Sequence, residues 1–176
     1  MNIKKFQFIC RFTSIIFKIL AAFFIFKIIA GLYVTLFRVN GSLQFEPAGF
    51  TFLQFQRNPI TDEELERAAL FPVPIFSLIH IYVLLKGSQL FDKLYEGYTL
   101  FSLEFVTNLK KISYIMIGFD AVTPIIYSGL VTLLAEDASY FYFSLSSYFV
   151  IGLILYVAAE IFNYGIELQT LSDETI

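Results

Sequence analysis

Residues 157–176 read VAAEIFNYGIELQTLSDETI, an apolar helix that meets a carboxylate at Glu160 and a glycine at Gly165 and passes without a break into an acidic end. A helix that is apolar on all its faces and then turns acidic is leaving a bilayer rather than a soluble core. Upstream lie further apolar runs, at about Thr13 to Phe37, Ala68 to Leu85 and Ile112 to Leu134, and the quoted stretch closes a fourth at about Ser144 to Phe162. The fold class expected is an all-α integral membrane protein, a four-transmembrane-helix bundle, with residues 163–176 as an acidic cytoplasmic tail.

Composition agrees. Of 176 residues, 57% are hydrophobic and 15% charged, and the mean hydropathy is +0.72, well outside the range of soluble domains. Four spans of about 20 residues fill most of this length, so one membrane domain is expected with no room for a separate catalytic one. A formal charge of -3 argues against direct nucleic-acid binding. One cysteine, Cys10, and one histidine, His80, build neither a disulfide nor the common metal sites. With no GxSxG, HExxH or phosphate-binding glycine loop in the chain, the expectation is a non-enzyme without a cofactor.

Lys4, Lys5 and Arg11 precede the first run, which exceeds the roughly 7 to 15 residues of a signal-peptide core and so reads as a signal anchor. Between the first two spans, Leu43 and Phe45 alternate with polar residues, Pro47-Ala48-Gly49 turns the chain, and Phe50 and Phe52 alternate again. This predicts a small extracytoplasmic β-hairpin. Thr61 followed by Glu64 is a capping box, and Pro72 and Pro74 predict a break before the second span. Beyond Lys86, Leu90 and Leu94 make a stripe at helical spacing; past the Gly97 turn Phe105, Leu109, Ile112 and Met116 continue it, predicting a cytoplasmic helical hairpin over 86–111. Tyr140 to Phe143 reads as an interfacial aromatic belt.

Orientation follows from the basic residues. Lys4, Lys5, Arg11, Lys18, Lys86, Lys93, Lys110 and Lys111 fall on one side and Arg38, Arg57 and Arg67 on the other. The positive-inside bias puts both termini and the hairpin in the cytoplasm of a bacterial inner membrane.

Ionisable groups at membrane depth are the candidate functional residues, because their burial is costly. Asp120 is the foremost, about 12 Å along the third span at 1.5 Å per residue, and Pro124, four positions on, cannot donate to its carbonyl. Lys27 could pair with Asp120 across the bundle, or Asp120 could only fix packing. His80 reads as a hydrogen-bonded packing residue, and Glu160 as a partner for Lys18 or a cap on the bundle end. At the end of the chain Glu167, Gln169 and Asp173 could dock on a partner, or the acidic end could fold back onto Lys110 and Lys111.

The pattern Ala159-Glu160-Ile161-Phe162, Gly165, Glu167-Leu168-Gln169, Asp173 and Thr175-Ile176 resembles the end of the bacterial "domain of unknown function 2975" family of small four-span membrane proteins. Gly97-Tyr98-Thr99 followed by Leu109-Lys110-Lys111-Ile112 is similar to that family's second recurring stretch, whereas Leu171 and Glu174 depart from its pattern. The resemblance implies a membrane protein encoded beside a small helix-turn-helix DNA-binding protein. The function expected is a non-enzymatic membrane partner that sequesters this regulator; the alternative is a small transporter or ion-conducting oligomer using Asp120. Homo-oligomerisation stays open.

Overall fold

A computed structural model describes residues 3–36, 50–70, 72–97, 102–135 and 139–174. In chain order the elements are α1 (Ile3–Leu36), β1 (Phe50–Arg57), α2 (Asp62–Ala69), α3 (Pro72–Tyr95), α4 (Leu103–Leu134), β2 (Ser139–Leu145) and α5 (Ser147–Glu174). Four helices, α1, α3, α4 and α5, are long and apolar enough to cross a membrane, the layout of a multi-pass membrane protein. Their outward faces carry large apolar side chains such as Phe23, Phe26, Ile125 and Ile154, a surface suited to lipid.

The helices form two tight antiparallel pairs. In the first, α1 turns Cys10, Ser14 and Ala21 toward α3, where Gly87 and Ser88 are buried. Small residues let the backbones approach, as in many membrane interfaces. A Cβ on Gly87 would lie 2.7 Å from the Phe17 ring, so that ring sits in a notch only glycine leaves open. The pairing also explains why α1 begins at Ile3, ten residues before the apolar run. Gln7 donates to the Tyr95 carbonyl (3.2 Å) and Arg11 to the Tyr95 hydroxyl (3.0 Å). Tertiary contacts thereby hold a basic segment in helix, and an orphan carbonyl at the end of α3 gains a donor.

In the second pair, Gly152 and Ala159 of α5 are buried, Gly152 against Met116 and Ile117 of α4. The pairs meet along α3 and α4, which lie either side of a turn at Gly97 (φ 101°) and share a core of Leu90, Val106, Leu109 and Met116. Lysines gather toward this turn, the basic end of the molecule; the strands lie at the opposite, sheet end.

At the sheet end the expected strand around Phe50 is present, and its described partner is distant in sequence. Phe50 pairs with Leu145 and Arg57 with Ser139 in an antiparallel ribbon with an irregularity between Thr51 and Leu53. The other proposed arm, residues 43–46, lies outside the described residues. The stretch expected as an aromatic belt is thus strand β2, and α4 serves as its third neighbour. Ser128 accepts from Tyr142 N–H (2.8 Å) and donates to Tyr142 C=O (3.0 Å). Thr132 does the same for Tyr140, at 3.0 and 2.8 Å. The match is metric: four helical residues rise about 6 Å and two strand residues about 6.6 Å, so hydroxyls one ridge step apart meet alternate strand residues.

Asp120, Pro124, Ser128 and Thr132 form that ridge, in register with Ser146, Ser144, Tyr142 and Tyr140. Helix α5 starts opposite Asp120, and α4 runs on for about 21 Å, continuous through Pro124. This projection packs against α2 in a second core of Ala68, Ala69, Tyr127 and Val131. The Thr61–Glu64 capping box starts α2, which stops before Pro72 as its proline signal requires.

Candidate functional site

The ridge decides what Asp120 does. Its carboxylate accepts from Ser146 N–H (2.7 Å) and from the Ser146 hydroxyl, while the Ser146 hydroxyl accepts from Tyr148 N–H (3.1 Å). Both oxygens therefore complete the first turn of α5, where a negative charge also suits the helix dipole. Of the two alternatives for Asp120, pairing with Lys27 is not formed, since Lys27 is exposed on α1 and makes no ion pair among the described residues. Pro124 is buried on the same ridge, where a missing N–H and an absent hydroxyl are both tolerated.

Next to this cap the four long helices converge on His80. Its Nδ1 donates to the Phe76 carbonyl four residues earlier (2.7 Å). The ring stacks on Phe24 of α1 (centroids 5.6 Å apart) and meets Phe119 of α4 and Tyr148 of α5 edge-on at 5.8 and 4.3 Å. The imidazole is a joint between helices, its hydrogen bond satisfied locally. Between the two helix pairs lies an apolar cavity of about 480 Å³, whose walls include Phe17, Leu84, Leu109 and Leu155. Burial next to Tyr142 raises the phenol of Tyr140 in β2 above its ordinary range, keeping it a neutral hydroxyl.

Three ion pairs at the basic end join the long helices in sequence. Lys18 of α1 binds Asp92 of α3 (2.8 Å), Lys93 of α3 binds Glu104 of α4, and Lys110 of α4 binds Glu160 of α5 (2.9 Å). The expected Glu160–Lys18 pair is thus replaced on both sides. Asp92, which sequence reasoning missed, also accepts from Ser14 (2.6 Å). Its signal was a carboxylate four residues beyond Ser88, on the buried stripe of α3.

Lys110 and Lys111, treated as one patch from sequence, part company because neighbours on a helix point about 100° apart. Lys110 turns to α5 and Lys111 to the opposite groove, between α4 and α3. Nor does Glu167 reach them: it is exposed on α5. Ile166 packs against the α4 core, and beyond it α5 continues as helix for about 12 Å, to Glu174. Tyr164 is 62% exposed and Leu168 49%, and Ile161 and Leu171 are exposed with them. Glu167 accepts from Asn163 (3.0 Å) on another face of the helix, Gln169 is exposed, and Asp173 lies in the last turn. Among the described residues no His, Cys, Asp and Glu group could hold a metal. No family model, curated protein or solved structure matches the chain.

Proposed function

We propose that this chain is a non-enzymatic protein of a bacterial cytoplasmic membrane, with both termini and the Gly97 turn in the cytoplasm, that sequesters a cytosolic helix-turn-helix regulator. The observation that carries the reading is the projecting end of α5, where Ile161, Tyr164, Leu168 and Leu171 recur at three- and four-residue spacing on an exposed face. Such spacing is what a groove-binding helix presents to a partner. After Lys111 the chain has no basic residue, so the carboxylates Glu167, Asp173 and Glu174 favour a basic partner. A DNA-binding protein offers that charge. An ion pathway through Asp120 draws no support from a carboxylate already committed to a helix cap.

The test is capture of a co-expressed helix-turn-helix protein from mild detergent by the full chain, by a version ending at Tyr164, and by Leu168→Glu. Retention by the full chain and loss in both variants supports the proposal. Equal retention by all three, or none by the full chain, removes it.

A further inference from the structure

On the opposite side of the α3–α4 seam from the apolar cavity lies a second pocket, of about 220 Å³, with Leu90 and Ile112 shared between the two. Its walls are one face of each helix. Tyr82, Lys86, Gln89 and Lys93 recur along α3, while Glu104, Asn108, Lys111 and Ile115 recur along α4 in the antiparallel sense. The pocket is graded along the helix axes. Nearest the turn, Lys93 and Glu104 neutralise each other. In the middle stand Lys86 and Lys111 with the amides of Gln89 and Asn108; furthest from the turn the lining is Tyr82 and Ile115.

The middle layer holds uncompensated charge. Lys86 donates to Gln89 (3.2 Å) and lies over the Tyr82 ring at 6.0 Å, but no carboxylate pairs with it among the described residues. Lys111 makes no ion pair among the described residues. Two ammonium groups and two amides around one small space suit a phosphate diester. The apolar layer continues up α3 through exposed Leu78 and Tyr82 into the lipid-facing surface, where a soluble anion gains nothing and an acyl chain gains contact.

We infer that the α3–α4 groove binds an anionic glycerophospholipid, its phosphate between Lys86 and Lys111 and an acyl chain along Leu78 and Tyr82. Basic pockets between spans on the cytoplasmic side are the usual seat of such headgroups. The inference requires that α3 and α4 cross the bilayer, and is independent of any regulator bound by α5.

Native mass spectrometry from mild detergent micelles doped with phosphatidylglycerol or with phosphatidylcholine tests it. The wild type should retain phosphatidylglycerol selectively. Each lysine near an anionic phosphate is worth about fivefold in affinity, so Lys86→Gln/Lys111→Gln should weaken retention by roughly thirtyfold. Lys4→Gln/Lys5→Gln, with the same change in net charge, should leave it unchanged, and Lys86→Arg/Lys111→Arg should preserve it. Inorganic phosphate at millimolar concentration should not displace the lipid. Equal retention of the two lipids, an unchanged glutamine double variant of wild-type helicity, or displacement by phosphate alone would each overturn the inference.

Discussion

Replacing Asp120 separates a structural cap from a transport site. Its carboxylate takes two hydrogen bonds from Ser146, one from the backbone and one from the hydroxyl. Bonds to a charged group are worth about 1.5–3 kcal/mol each. Because Asp120 and Ser146 are both half-buried, the lower end applies, and Asp120→Ala should cost about 3 kcal/mol. Asp120→Asn keeps an acceptor but loses the charge, so about half that cost is expected. Ser146→Ala removes one of the two bonds and the cap on Tyr148 N–H, at about 2–3 kcal/mol. Since the Asp120 and Ser146 variants share a bond, their double variant should fall short of additivity by about 1.5 kcal/mol. Denaturant titration in detergent, followed by circular dichroism and by labelling of the buried Cys10 thiol, measures all four. Wild-type stability in Asp120→Ala, or strictly additive losses in the cycle, would refute the cap.

Three further outcomes follow from the packing. Gly152→Ala places a methyl 2.8 Å from Ile117 Cγ1 and 3.2 Å from its backbone nitrogen, whereas Gly118 has open space around it; in the same titration Gly152→Ala should lose about 1 kcal/mol net, overpacking of about 2 offset by about 1 of helix propensity, and Gly118→Ala should lose nothing. Ser128→Ala leaves buried backbone groups of Tyr142 without their partner, so the Tyr142 amide should exchange at least tenfold faster, with a global loss of about 1–3 kcal/mol. Asp92→Asn breaks a pair whose side chains are 53% and 38% exposed, and should change overall stability by less than about 1 kcal/mol.

The four long apolar helices were legible because hydropathy over 20 residues overrides local detail, and the α2 capping box and the Gly97 turn because backbone chemistry leaves few residues able to serve there. What failed was long-range. The alternation around Phe50 correctly signals a strand, but alternation names no partner, least of all one distant in sequence. The partner, β2, lies beyond two of the spans. In retrospect the four-residue spacing of Asp120, Pro124, Ser128 and Thr132 along the second half of α4 carries the missing information: a ridge in register with a strand. Sequence reasoning had isolated Asp120 and Pro124 from that series and so weighed an ion site against a packing role without seeing the strand they face. The lysine pair at 110–111 misled in the opposite direction, since adjacency in sequence was taken for adjacency in space.

The three ion pairs of the basic end are half-exposed and individually weak, so their common placement calls for another explanation than stability. Each joins one long helix to the next, and none joins two positions on one helix. Within the bilayer, apolar faces of similar character can slide by a helical turn at little cost, because lipid and protein interior are alike as solvents. A one-turn slip of α1 along α3 would carry Phe17 out of the Gly87 notch, part Ser14 from Ser88, and leave Asp92 without Lys18. The notch and the polar groups therefore discriminate between registers that hydrophobic burial alone treats as nearly equal. The same logic holds at the sheet end, where Ser128 and Thr132 fix β2 on α4 and Asp120 fixes where α5 may begin. Between the two pinned ends lies the apolar cavity that separates the helix pairs.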